Sequence, residues 1–136
     1  MANYLATSRT NYFRTENAEL LREPIAAAAY DVEGLRLWEQ TGEDGIIRYA
    51  FGCYTSIGGS MDEDAFEEFV AKLQACLPDD DAIVITEIGN KKLRYLEALA
   101  TIITQTGCET VDLTEAGYEK ASEMLGYPNW STKENY

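Results

Sequence analysis

Between Ser60 and Ile88 the apolar side chains change period, and that change restricts the possible folds more than any other feature. Phe66, Phe69, Val70, Leu73 and Leu77 recur at three- and four-residue spacing. They predict a helix over residues 60–77 with one apolar stripe. Ser60 with Glu63 reads as a capping box at its start. Pro78 and the run Asp79, Asp80, Asp81 end it. Residues 82–88 (AIVITEI) are then almost continuously apolar, which predicts a central strand of the sheet. A striped helix feeding a buried strand needs a layered helix-on-sheet arrangement to bury both.

The rest of the chain supplies the other layers. Residues 9–15 (RTNYFRT) read as a first strand. Residues 16–29 (ENAELLREPIAAAA) read as a helix capped by Thr15, which Pro24 kinks or restarts. Residues 35–40 alternate apolar and polar, and residues 41–45 (TGEDG) turn the chain into a strand over residues 46–57, giving a hairpin. After the 82–88 strand, a short helix is expected over residues 90–96. A second hairpin follows from residues 100–105 and 109–113 about a Thr106-Gly107 turn, and then a helix over residues 115–125 capped by Thr114. The expected fold is therefore α+β. It is a ferredoxin-like split β-α-β antiparallel sheet with helices on one face, extended by a C-terminal hairpin and helix. Residues 1–126 form one domain, and residues 127–136 are a tail that Trp130 tacks down.

Composition excludes several chemistries. The 136 residues include no histidine, which removes Ser-His-Asp and Cys-His catalysis and the usual zinc ligands. Cys53, Cys76 and Cys108 are widely spaced and form no C-x-x-C pair, so reduced, mostly buried thiols are expected. No apolar run reaches the length of a membrane span. The start, MANYLATSRTNYF, lacks the basic flank and apolar run of a secretion signal, so a cytoplasmic protein is expected. Against 11 bases stand 24 acids, a net charge of −13. Such a surface repels nucleic-acid backbones and attracts basic proteins.

The charge is concentrated. Between Met61 and Asp81 there are eight acids and one base, Lys72. Helix-dipole preference and the capping box account for acids at the first turn, but not for the scarcity of bases. Asp64, Glu67, Glu68, Asp79, Asp80 and Asp81 are the expected partner-binding residues, with carboxylates standing in for phosphates before a partner's Arg and Lys. Residues 48–54 (RYAFGCY) pose a different reading, since a third strand with a base and alternating rings is where RNA-recognition modules stack bases. The Gly expected after the base is missing and Gly52 stands where Val is usual. This gives at most a degenerate module, with Tyr49 and Phe51 as core packing. Residues 56–60 (SIGGS) form a glycine-rich turn into the acidic helix. Glu87 and Cys53 are the only candidates for enzyme chemistry and neither has a visible partner. No catalytic residue, metal or cofactor is expected.

Residues 7–13 (TSRTNYF), residues 87–96 (EIGNKKLRYL) and residues 107–111 (GCETV) resemble motifs of a family of small acidic proteins of unassigned function from phages, plasmids and prophages. The resemblance spans most of the chain and brings no catalytic residues with it. It implies a mobile-element origin, and accessory proteins of such elements often act as anti-CRISPR or anti-restriction inhibitors. The resemblance and the charge together lead to the expectation of a non-enzymatic, nucleic-acid-mimicking inhibitor of a defence complex. The family's motif residues Arg9, Asn11, Lys91, Lys92 and Arg94 suggest an alternative, a small basic pocket for an anionic ligand or nucleotide.

Overall fold

The computed structural model describes residues 5–91, 94–128 and 130. Its elements are β1 (Leu5–Thr10), α1 (Ala18–Ala28), β2 (Arg36–Thr41), β3 (Ile47–Cys53), the single turn α2 (Ile57–Ser60), α3 (Glu63–Cys76), β4 (Ile83–Lys91), β5 (Arg94–Ile103), β6 (Cys108–Asp112) and α4 (Leu113–Leu125). The six strands form one sheet in the order β2-β3-β1-β4-β5-β6, and every pairing is antiparallel. β3 lies between β1 and β2, the strands that α1 connects. In the same way β1 lies between β3 and β4, the strands that α3 connects.

The core lies between this sheet and the pair α1 and α3. Leu21, Ile25 and Ala28 of α1 meet Phe69, Val70 and Leu73 of α3 over Tyr49, Phe51, Ile83, Ile85 and Ile103. The rings of Phe13, Phe51 and Phe69 form an edge-to-face chain with centroids 6.1 and 5.9 Å apart, a geometry that aromatic quadrupoles favour. Pro24 stays inside the continuous helix α1 and is buried in its stripe; the helix forgoes one backbone hydrogen bond there.

Several sequence expectations are corrected. β1 ends at Thr10 rather than Thr15, and the chain returns to the sheet through an isolated pairing of Phe13 with Tyr49. Arg9 opposes Gly52 and Phe13 opposes Tyr49, so β1's side spends one extra residue over this interval, as a bulge does. The shift lets Thr10 and Phe13 both turn toward the helices, and the Thr10 hydroxyl takes the Phe51 N–H at 3.0 Å. Asn17, not Thr15, caps α1. The capping box at Ser60 and Glu63 does not form: Ser60 donates to the Ser56 carbonyl at 2.6 Å, and Asp62 caps α3 through the Ala65 N–H. Ile57 belongs to α2 rather than to β3. No helix covers residues 90 and 91 or 94–96, where β4 runs to Lys91 and β5 starts at Arg94. Pairing along ten residues of β5 outweighs the weak local helix preference of that segment. The second hairpin forms as expected, and Asp112 rather than Thr114 caps α4. Trp130 does hold the chain after α4: its carbonyl accepts from Ser122 at 2.8 Å and its ring meets Tyr118.

Candidate functional site

Strand register assigns each side chain to one face of the sheet. Toward the helices, Ile83 opposes Ile103, Ile85 opposes Thr101, Glu87 opposes Leu99 and Gly89 opposes Glu97. The first of these rows is sealed under the core. The remaining rows run out from beneath the helices and floor a cleft of about 830 Å³. Residues 54–60, Phe66 of α3 and Leu5, Ala6 and Thr7 of β1 also line it. Glu87 and Glu97 sit diagonally across two strands on this floor, a spacing of about 7–8 Å between backbones.

The loop side of the cleft is fixed by hydroxyls. Ser8 is buried and donates to the Thr55 carbonyl at 2.7 Å. Ser56 donates to Glu87 Oε1 at 2.7 Å and accepts the Gly59 N–H at 2.9 Å. A Cβ on Gly59 would come within 2.8 Å of the Ser56 oxygen, so glycine is what lets the turn close on that hydroxyl. Among the described residues no buried side-chain polar atom is left unsatisfied. The glycine-rich turn and Glu87 are both visible in the sequence, yet nothing there places them together across 31 positions.

The acidic residues are divided by the structure. Asp64, Glu67 and Glu68 are exposed on the outer side of α3. Asp79, Asp80 and Asp81 lie beyond its other end at Cys76, which is about 18 Å along the axis from Asp64 and about 12 Å from Glu68. Asp80 pairs with Arg14 at 2.6 Å, while Asp81 takes the Arg14 backbone N–H at 2.8 Å and its side chain at 3.4 Å. These two carboxylates fasten the loop after α3 to the segment before α1. Lys72 bridges Glu23 of α1 at 2.8 Å and Glu68 at 3.5 Å. Asp64, Glu67 and Asp79 make no ion pair among the described residues.

The expected basic pocket is not assembled. Arg9 points to the face away from the helices, its guanidinium 5.3 Å from the Trp38 ring centre and 5.7 Å from that of Tyr12. Asn11 is spent on the backbone, donating to the Ala82 carbonyl at 3.0 Å and accepting the Val84 N–H at 2.8 Å. Lys91 is five residues along β4 from Thr86, the partner of Arg9, so about 16 Å separates the two positions. Lys92 and the side chain of Arg94 lie outside the described residues. Arg9 also stands on the opposite face from Glu87, so the two share no cleft.

Tyr49 and Phe51 are buried against the helices. That is the core role, and it leaves no base-stacking ring of this strand on the open face. Tyr54 is exposed beyond the strand's end. Burial pushes the thiols of Cys53 and Cys76 up from the ordinary value, away from the thiolate form that a nucleophile needs. Cys108 is the exposed one of the three, as an expectation of mostly buried thiols allows, and desolvation raises it as well. Among the described residues no group of three His, Cys, Asp or Glu side chains is placed to hold a metal ion, and no helix is long and apolar enough to cross a membrane.

Comparison with protein-family models, with curated proteins and with solved structures finds no match to this chain. Functional argument therefore rests on the geometry.

Proposed function

We propose that this protein is a non-enzymatic accessory protein of a mobile element that binds a basic partner through α3. In this reading it is a counter-defence inhibitor whose carboxylates occupy a site meant for nucleic acid. One observation carries the proposal: Asp64 and Glu67 stand exposed, without an ion pair among the described residues, on a helix whose opposite side, at Phe69, Val70 and Leu73, is locked in the core. A rigid helix presenting carboxylates to solvent suits an Arg- or Lys-lined surface. The contact set narrows to Asp64, Glu67 and Glu68, which share the outer side of α3, Glu68 also meeting Lys72 at 3.5 Å; Asp79, Asp80 and Asp81 lie past the helix's other end, where Asp80 and Asp81 hold Arg14. We also read the β2-β3-β1-β4 order, with α1 and α3 on one face, as the ferredoxin-like split β-α-β arrangement, to which β5, β6 and α4 are appended.

The test is inhibition of DNA cleavage by a panel of restriction endonucleases and RNA-guided nuclease complexes. Inhibition of one of them is expected, together with its loss in the triple variant Asp64→Lys, Glu67→Lys, Glu68→Lys and its retention in Asp79→Asn. A triple variant that is folded by circular dichroism and still inhibits would exclude α3 as the contact. Absence of inhibition across the panel would reject the counter-defence reading.

A further inference from the structure

The outer edge of β2, with two arginines beside it, has no part in the α3 reading. β2 ends the sheet, and among the described residues no strand lies beyond it. Its backbone alternation follows from neighbouring bonds. The Gly42 N–H meets the Ile46 carbonyl at 2.9 Å. On the other side of β3, Thr10 takes the Phe51 N–H, and Phe13 exchanges both backbone bonds with Tyr49. Arg36, Trp38 and Gln40 therefore turn their N–H and C=O groups toward β3, while Leu37, Glu39 and Thr41 turn theirs outward. Edges of natural sheets are blunted by proline, lysine or a bulge. β2, with the sequence RLWEQT, has none of these, and its six pairs with β3 keep one register.

The side chains over this edge, on the face away from the helices, include unanswered cations. Arg9 of β1 reaches across β3 until its guanidinium is 5.3 Å from the Trp38 ring centre, and Arg36 precedes Trp38 by two residues on the same face. Arg48, further along that face, is answered by Asp44 at 3.0 Å, and Arg14 by Asp80 at 2.6 Å. Arg9 and Arg36 are exposed and make no ion pair among the described residues.

We infer that this edge receives an extended acidic segment of a partner protein, which adds a strand to β2 and sets alternate carboxylates beside Arg36 and Arg9. The outward groups of Leu37, Glu39 and Thr41 supply the main-chain bonds, and alternate side chains supply specificity. A residue opposite Arg36 or Trp38 shares their face, where exposed Trp and Arg make effective anchors. Its neighbours turn to the Glu39 face, so acids are favoured at every second position only. The acids of α3 stand on the other side of the sheet, and at 0.15 M salt the screening length is about 8 Å. A second copy fits this edge less well. Two-fold pairing of β2 with β2 keeps the same faces together, so Arg36, Trp38 and Gln40 would meet only each other, without an acid.

Titration of the full-length ¹⁵N-labelled protein with a synthetic peptide alternating glutamate and valine tests this, with a lysine–valine peptide as counterpart. Saturable shifts are expected at residues 36–41, with new hydrogen-exchange protection at the Leu37, Glu39 and Thr41 amides. The lysine peptide should bind at least tenfold more weakly. Arg36→Glu is expected to weaken the acidic peptide roughly fivefold or more, as loss and reversal of an exposed ion pair would. Glu39→Pro removes an outward N–H at a position where an edge strand tolerates proline, and it should abolish binding while Glu39→Gln does not. Should Glu39→Pro unfold the hairpin, Arg36→Glu and the exchange pattern decide. The triple α3 variant should bind the peptide as the parent protein does, which separates failure of this edge from failure of the α3 reading. No saturable shift at residues 36–41, equal binding of the lysine peptide, or full affinity in Arg36→Glu would each overturn the assignment. Protection of those three amides in a dimer of the protein alone would give the edge to a second copy and overturn it as well.

Discussion

At Gly52 the backbone of β1 comes so close to β3 that a Cβ would stand 2.6 Å from the Ser8 carbonyl oxygen and 3.2 Å from the Arg9 Cα. Those neighbours are backbone in the middle of a sheet and cannot swing aside. Gly52→Ala is therefore expected to cost about 1–3 kcal/mol, read as a lower urea midpoint with unchanged slope. In the sequence Gly52 looks like a flaw in a base-stacking strand; in the fold it lets two central strands approach. The thiols give a pH-dependent counterpart. Desolvation raises Cys53 and Cys76 above the ordinary value of 9.0. A raised thiol favours the folded state below that value, and the advantage is lost as pH rises through the higher folded-state value. Urea unfolding between pH 8 and pH 11 should thus show an alkaline loss of stability that is shallower in a Cys53→Ala, Cys76→Ala variant. An equally steep loss in that variant would assign the effect to other groups. The sequence predicts mostly buried thiols, and the fold decides that Cys108 is the exposed one.

At the level of elements, helix starts are where local reading and structure part. The motif Ser60-x-x-Glu63 satisfies the capping-box pattern, but Ser60 ends α2 and its hydroxyl is engaged with Ser56. Asp62, two residues on, takes the Ala65 N–H at 2.7 Å. Asp62→Ala should therefore destabilise the protein by about 0.5–2 kcal/mol, whereas Glu63→Ala should change stability by less than about 0.5 kcal/mol. Thermal denaturation of the two variants distinguishes the caps, and the reverse ranking would restore the capping box. The apolar stripe of α3 was legible because packing follows period, and four of its five residues are buried, with Phe66 packed at the edge of the core. The 90–96 segment was not legible, because its extended form is stabilised by β4, a partner strand that local sequence does not show.

For the whole molecule, charge and topology act together. A net charge of −13 repels itself over distances comparable to the domain at low salt, where the screening length is about 30 Å at 0.01 M and 10 Å at 0.1 M. Stability is therefore expected to rise with sodium chloride between those concentrations, measured as the urea midpoint. A fall would mean that ion pairs such as Arg14 with Asp80 and Asp81 outweigh the long-range repulsion. The sheet order decides which acids are surface and which are fasteners. By bringing the loop after α3 against the segment before α1, it makes Asp80 and Asp81 the partners of Arg14, Asp80 while still exposed, whereas Asp64 and Glu67 remain outward and unpaired among the described residues.

From the sequence alone come the α+β class, the helix stripe, both hairpins and the acid excess, since each depends on periodicity or composition within a dozen residues. The strand order, the loss of the basic pocket and the cleft at Glu87 and Glu97 come only from the tertiary structure. Arg9 and Lys91 read in the sequence as members of one basic pocket, but strand pairing sets them on different parts of the sheet. Glu87, Glu97 and the Ser56-to-Ser60 turn share no motif, and antiparallel register together with one serine hydroxyl makes them neighbours. Proximity across 31 positions is fixed by which strands pair and in what register, and that choice is made by burial of the whole core rather than by any segment of it.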